Sequence, residues 1–323
     1  MESDQAPFKL KNSSAQLIRN YFRNDGLEEV STPVFVKSGA LEPYLDAFSL
    51  PDFDYFLPTS PEFSLKKQLA LSYQQTPGIF EIAHAFRNEP LSNLHAHEFT
   101  MVEWYRNKTG YLDLRTDIEN IISKLTPDWE KKLESQTFTV EALFQKVFPV
   151  KTDFKFDSKT YQKLANSVES IRFSAGKIQD TQKKTTPLQE SIIEIELFSL
   201  LYDYALDKES KEYEGILFIH EFPECVRGMA KVNETGRALR LEAVFKGIEI
   251  ANGYQEMNNP DELRELWNQN NEIRKTMGKN PHPVDETLLE LTSHLNACGI
   301  ALGLERVLMG LFGIEKISEF SIP

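Results

Sequence analysis

The sequence predicts an α+β protein in which antiparallel hairpins lie against helices, and three observations carry that expectation. Residues 79–86 and 98–105 are apolar, aromatic-rich runs separated by a polar loop holding Pro90, Ser92, Asn93, His95 and His97, the pattern of a hairpin with a long loop. A second pair of runs, LRLEAVF and IEIANGYQE, turns at Lys246-Gly247. Outside them the apolar spacing changes to the helical repeat, as in residues 112–125, where Leu114, Ile118, Ile121 and Ile122 share a face.

Composition narrows the function classes. The 323 residues suffice for one large domain or two ordinary ones with a sizeable core. With 36 basic and 49 acidic residues the net charge is −13, which argues against broad electrostatic capture of nucleic acid, although an acidic chain can still carry one basic face. There is no apolar run of about eighteen residues and no basic-then-apolar leader, so a soluble protein without a membrane segment or secretory address is expected. Cys225 and Cys298 follow no metal-ligand spacing and suit a reduced, cytoplasmic setting.

Along the chain, residues 1–11 read as a flexible arm. Asn12, Ser13 or Ser14 is placed to cap a helix with Leu17, Ile18, Tyr21 and Phe22 on one face, which Gly26 stops. LEEVSTPVF (27–35) reads as an extended strand, and Pro33, lacking an amide hydrogen, puts it at a sheet edge or interface. Ser60 caps the next helix with Pro61 at its first position, Glu62 in its first turn and Leu65 and Leu69 as an apolar pair. In the first hairpin Phe99, Met101, Glu103 and Tyr105 share one strand face, an apolar wall with one anionic anchor. Arg87, Asn88 and Glu89 sit where the preceding strand leaves the sheet, a common place for ligand contacts.

Residues 111–210 read as largely helical and show no catalytic constellation. ILFIHEFPE then makes a short strand ended by proline. With a two-residue turn at Lys246-Gly247, Phe245 faces Ile248 and Glu242 faces Ala251. Glu242 and Glu249 then lie as diagonal neighbours, roughly 7–8 Å apart, able to hold Mg²⁺ with phosphate oxygens between them. Asn252-Gly253 breaks the alternation and predicts a bulge that turns Glu256 toward the site. Helices follow at 260–275 and 284–295. A glycine-rich strand, 299–303, finally runs into a helix at Leu304 with Arg306 in its first turn. Small residues there admit a ligand close to the backbone, and a helix N-terminus favours phosphate. Taken singly, each of these features is as well explained by a solvated charge or a well-started helix.

Together they say more. FRNE, a polar loop and then HEFTMVEWYR closely resembles motif 2 of class II aminoacyl-tRNA synthetases, in the lysyl, aspartyl and asparaginyl branch. The helix, strand and Pro33 before it resemble motif 1, and CGIALGLERVLMGLFG resembles motif 3 with Arg306 as the motif arginine. The likeness spans about Ser13 to Gly313. It implies a class II aminoacyl-tRNA synthetase-like antiparallel sheet flanked by helices, usually dimeric through motif 1. It also implies a single catalytic domain over 1–323, with about 111–210 as a largely helical insertion between motifs 2 and 3.

Carried over from the lysyl branch, the resemblance implies that Arg87 and Asn252 hold the substrate carboxylate. Glu103, Tyr105 and Glu256 surround the side-chain amine, and Glu62, in the Ser60-Pro61-Glu62 turn, lies near the other amine. Asn88, Glu89, Phe99, Ile250 and Gly303 belong to the ATP site, with Glu89 and Phe99 at adenine. His95 and Arg306 reach the distal phosphates, while Glu242 and Glu249 match the Mg²⁺–ATP carboxylates. Arg87 and Arg306, with Mg²⁺, can offset the repulsion that a carboxylate meets when it attacks an α-phosphate.

Motif 1 begins within fifteen residues of the start and about ten residues follow motif 3, so no anticodon-reading domain is expected. A bare lysyl-type core with EFTMVEWYR, KGIEIANGYQE and GIALG resembles the elongation factor P–lysine ligase family, and Ala301, where lysyl-tRNA synthetases have glycine, agrees. That family implies ATP as substrate, Mg²⁺, adenylation of lysine or (R)-β-lysine, transfer to a lysine ε-amine of elongation factor P, and negligible tRNA charging. The chain departs from the family at Asn93-Leu94, where an arginine usually precedes the histidine, and at Ala96, where asparagine is usual, so those two roles are not carried over. Three other readings compete: a truncated synthetase charging tRNA, an amide-forming enzyme acting on a free amino acid, and a non-catalytic lysine sensor.

Overall fold

Alternation of apolar residues with period two builds the sheet, and the apolar helical stripes cover it. The computed structural model describes residues 6–126, 133–149, 155–180 and 186–321. Its helices are α1 (Pro7–Asn24), α2 (Glu62–Ser72), α3 (Leu114–Leu125), α4 (Val140–Val147), α5 (Ser158–Asn166), α6 (Glu169–Asp180), α7 (Pro187–Ser210), α8 (Pro260–Thr276), α9 (Glu286–Thr292) and α10 (Leu304–Phe312). The strands are β1 (Glu28–Glu29), β2 (Ser49–Leu50), β3 (Tyr55–Phe56), β4 (Gly78–Phe86), β5 (Glu98–Asn107), β6 (Ser135–Thr139), β7 (Ile216–Pro223), β8 (Arg237–Phe245), β9 (Ile248–Gln255) and β10 (Ala297–Gly303).

Among the described residues, eight strands form one sheet in the order β1-β4-β5-β10-β9-β8-β7-β6. The six inner strands pair antiparallel, and only the edge strands β1 and β6 run parallel to their neighbours. The expected α+β class with a largely antiparallel, helix-flanked sheet is what the chain adopts.

One sheet face is sealed by α1, α3 and α10, whose Ile18, Phe22, Ile118, Ile121, Val307 and Leu308 join Phe80, Val102 and Trp104 of the strands in one core. On the opposite face two groups of helices cover different strands. Helices α4, α5 and α7 pack on Leu217, Ile219 and Val244, while Leu65 and Leu69 of α2 pack on Ile79 and Tyr105. The stretch of sheet between these groups carries the cavity described below.

Several local expectations need correction. The first helix starts at Pro7, so Asn12, Ser13 and Ser14 lie inside it; proline at a first turn is preorganised for helix, and Ser13 Oγ bonds back to Leu10 O at 3.0 Å. Of the expected arm, residues 1–5 lie outside the described residues. The strand expected over 27–35 shrinks to Glu28–Glu29 on the edge, with Val30 N donating to Phe80 O at 3.0 Å. Beyond it Pro33 has no donor to give, and Val34 and Phe35 remain 50% and 61% exposed. At α2 the boundary moves by one residue: Pro61 takes the cap position and Ser60 Oγ accepts from Glu62 N at 3.3 Å.

The Lys246-Gly247 turn forms as expected, both residues having positive φ (49° and 79°), with Phe245 opposite Ile248. The bulge, however, falls between Ala243 and Val244 on one side and around Ile250 on the other. Glu242 therefore faces Asn252, not Ala251. Asn252 and Gly253 stay in regular register, and Glu256 reaches the Asn252 face by simple alternation, with no bulge needed at Gly253.

Gly253 sits where β9 is sandwiched between β8 and β10, and a Cβ there would lie 2.3 Å from Gly299 O. Gly253→Ala should lower unfolding free energy by roughly 1–3 kcal/mol through overpacking, read from urea denaturation; an unchanged midpoint would contradict the close approach.

Candidate active site

Strand pairing brings together residues far apart in sequence. Met101, Glu103 and Tyr105 of β5 lie beside Gly303, Ala301 and Gly299 of β10, which in turn lie beside Asn252 and Tyr254 of β9. A cavity of about 390 Å³ opens over this face and is closed by the α2 start, the 38–45 segment and the loop after β4. Of the residues singled out from sequence, Ser60, Glu62, Arg87, Glu89, His95, Phe99, Glu103, Tyr105, Glu249, Ile250, Asn252, Glu256, Gly303 and Arg306 line it. Pro61, Asn88 and Glu242 do not: Pro61, the cap of α2, is buried, Asn88 N donates to Asp46 O at 2.9 Å, and Glu242 is paired with Arg240.

One end of the cavity is acidic. Tyr105 donates its hydroxyl to Glu103 Oε1 at 2.7 Å, and Tyr254 donates to Glu62 Oε1. Lys66, four residues beyond Glu62 on α2 and 2% exposed, pairs with Glu62 Oε1 at 2.8 Å and Glu256 Oε2 at 2.6 Å. Each of the three carboxylates thus meets protein donors through one oxygen. Glu103 Oε2 and Glu256 Oε1 are buried with no hydrogen-bond partner, and Glu256 Oε2 meets the protein only through its ion pair with Lys66. An unpaired buried carboxylate oxygen is costly, so these atoms call for a cationic ligand.

The electrostatics agree. Burial pushes the Glu103 carboxyl well up, with Glu62 adding to the effect. Burial also raises Glu256 to about 8, Lys66 opposing and Glu62 reinforcing it. Glu42, at the rim, is raised by burial and by Glu62. Tyr105 and Tyr254 are held protonated by burial and by the adjacent carboxylates, so both remain donors.

The other end is cationic. Arg87 Nε donates to Thr59 O at 3.3 Å, and its guanidinium lies 5.3 Å from the Phe99 ring centroid. Arg306, in the first turn of α10, reaches Leu94 O at 3.4 Å and Glu249 O at 3.3 Å. His95 is fixed through Nδ1 by Ser92 Oγ at 2.7 Å; burial and then Arg306 keep its pKa below the ordinary value. Two guanidiniums and a helix N-terminus facing one space suit phosphate.

Glu242 is gripped on both oxygens, by Arg240 at 2.5 Å and by the Tyr202 hydroxyl at 2.7 Å. Burial lifts its carboxyl to about 7, Arg240 opposing and Glu249 adding repulsion. A divalent cation would relieve that repulsion, and hard carboxylate oxygens are the donors Mg²⁺ prefers. Among the described residues no three ligating side chains gather, so a cation here would complete its shell with phosphate and water oxygens.

Sequence reading missed Lys66, Tyr254, Arg240 and Tyr202. Lys66 sits between two core leucines at the spacing of a solvated helix position, and only the fold turns it inward. Residues 111–210, read as showing no catalytic constellation, contribute a supporting group: α7 delivers the Tyr202 hydroxyl to Glu242.

Comparison with known proteins fits this geometry. The family model for tRNA synthetases class II (D, K and N) matches residues 1–322, and the chain belongs to that family. The chain is similar to proteins named elongation factor P–(R)-β-lysine ligase. The relative from Vibrio atlanticus is 29% identical over 322 residues, covering 95% of this chain and 92% of that protein. Those from Histophilus somni and Yersinia enterocolitica are 28% and 27% identical over 314 and 315 residues, covering 94% of this chain and 90% of each relative.

A buried carboxyl raised from 4.5 to about 8 in the native state keeps a proton that the unfolded chain has lost between those values, so it destabilises the fold as pH rises through that window. The melting temperature of Glu256→Gln relative to wild type, without ligand, should therefore climb from pH 5 to pH 8, by an amount equivalent to about 1 kcal/mol per pH unit. A difference that falls with pH would contradict the assignment.

Proposed function

We propose that the protein is an ATP-dependent ligase that adenylates lysine or (R)-β-lysine and transfers it to a lysine ε-amine of elongation factor P. The observation that carries this reading is a set of three carboxylates in the same cavity as Arg87 and Arg306: buried Glu103 and Glu256, each with an oxygen that makes no hydrogen bond, and half-buried Glu62 beside them. The names of the similar proteins supply the acceptor.

In this reading Glu103, Tyr105 and Glu256 take the side-chain ammonium and Glu62, beyond Ser60, takes the other amine. Arg87 and Asn252 orient the substrate carboxylate. ATP lies along β5 and β9 between Glu89, Phe99, Ile250 and Gly303, with the adjoining Asn88 on its loop and His95 and Arg306 at the distal phosphates. Glu242 and Glu249 would hold Mg²⁺, which when bound neutralises phosphate charge. The substrate carboxylate attacks the α-phosphorus and pyrophosphate leaves, Arg87 and Arg306 offsetting the developing negative charge. The deprotonated ε-amine of the acceptor then attacks the adenylate carbonyl, and AMP departs with the electron pair of the broken C–O bond. No enzyme nucleophile is required.

Glu256→Gln should raise the KM for lysine or β-lysine in amino-acid-dependent pyrophosphate exchange by the equivalent of roughly 1.5–3 kcal/mol, with ATP affinity nearly unchanged. An unaltered amino-acid KM would sink the role given to Glu256.

The acceptor is tested by incubating enzyme, ATP and lysine or β-lysine with elongation factor P and, separately, with total tRNA. The factor should gain the mass of an added lysyl group while tRNA charging stays negligible. Charged tRNA beside an unmodified factor would instead support a synthetase that aminoacylates tRNA.

The working form in this proposal is a cytoplasmic homodimer joined through residues 27–35, where exposed Val34 and Phe35 offer apolar surface beside the sheet edge. Among the described residues no helix is long and apolar enough to cross a membrane. Light scattering at micromolar concentration should give twice the monomer mass; a monomer would contradict the interface.

A further inference from the structure

Among the described residues Lys66 is the one cation that touches two carboxylates of the amine end, and it does not line the cavity itself. Its ammonium lies 5.0 Å from the ring centroid of Tyr254, which lines the cavity, and 3.7 Å from Met229 Sδ, and its side chain is 2% exposed. Glu62 and Glu256 come from different elements, the first turn of α2 and the residue that follows β9. Nothing else among the described residues ties Glu256 to the protein through its side chain, because Oε2 meets only Lys66 and Oε1 meets no partner.

We propose that Lys66 is a positioning residue for amino-acid recognition: by holding one oxygen of Glu62 and one of Glu256, it fixes the other oxygen of each toward the substrate's ammonium groups. This rests on the reading of the cavity as a lysine-type site.

Two buried carboxylates without a shared counter-ion repel, and each then favours its protonated form. Glu256 feels Lys66 and Glu62 of α2, Glu103 and Tyr105 of β5, its neighbour Tyr254, and Cys298 of β10. Lys66 is the only group in that set that carries positive charge. Burial already raises the Glu256 carboxyl, and removing Lys66 raises it further, so Glu256 keeps its proton to a higher pH than in wild type before it can accept a cation. A substrate ammonium would then bind weakly at neutral pH and recover as pH rises.

The test compares wild type, Lys66→Met and Lys66→Gln by lysine-dependent pyrophosphate exchange from pH 7 to 9, with ATP affinity by calorimetry. Lys66→Met removes the charge at similar length, whereas Lys66→Gln keeps amide donors. With Lys66→Met the lysine KM should rise about tenfold or more at pH 7, fall back toward the wild-type value by pH 9, and leave the ATP Kd within about twofold. Lys66→Gln should lie between the two. An unchanged lysine KM in Lys66→Met with normal ATP binding overturns the proposal.

If Lys66→Met loses ATP binding, Lys66→Gln decides. A raised lysine KM with intact ATP binding supports positioning. An unchanged KM, or loss of ATP binding there too, overturns it in favour of a scaffold role. Wild type that binds ATP but shows no exchange with lysine or β-lysine refutes the lysine-type reading itself, and the proposal falls with it.

Discussion

Glu62, Glu103 and Glu256 are three carboxylates at one end of a single cavity, and the need to keep them there out of bulk water shapes everything around them. A buried carboxylate must be paired, hydrogen-bonded or protonated. Between them Tyr105, Tyr254 and Lys66 meet one oxygen of each carboxylate, and the second oxygens of Glu103 and Glu256 are left without a hydrogen-bond partner. What remains is a cavity whose wall is complete only when a cation enters. The opposite end, with Arg87 and Arg306, is complete only when an anion enters. A zwitterion bearing an extra ammonium, beside a polyphosphate, answers both ends at once.

The sheet makes this arrangement rigid. Glu103 and Tyr105 stand on a strand paired on both sides, and β10 next to them carries Gly299, where a Cβ would lie 2.3 Å from the Tyr105 ring. The absence of a side chain there is what lets the ring lie flat across β10 with its hydroxyl on Glu103. On the far side the bulge at Ile250 shifts the register so that Glu242 faces Asn252, and Arg240 bridges them, donating to both. Helix α7 then braces Glu242 from behind through Tyr202, which connects the second helical core to the edge of the cavity.

How much of this was legible follows from the range of each interaction. The hairpin faces were, because period two is local: Phe99, Met101, Glu103 and Tyr105 point into the cavity as their spacing requires. The Lys246-Gly247 turn and the start of α10 were legible for the same reason. The bulge was placed two residues late, since Asn252-Gly253 is the weaker-looking sequence while the actual distortion depends on how Ile250 enters the core. The short β1 reflects Pro33, whose effect on pairing was foreseen and whose reach was not. Lys66 and Tyr202 were invisible because a lysine or tyrosine on an amphipathic helix reads as surface until the partner carboxylates arrive from other elements.

The account stands or falls on recognition of a side-chain ammonium. Pyrophosphate exchange should be compared for lysine, (R)-β-lysine and norleucine, the last matching lysine in length but lacking the terminal amine. Lysine or its β-isomer should drive exchange while norleucine at the same concentration does not. Equal exchange with norleucine would contradict the central claim.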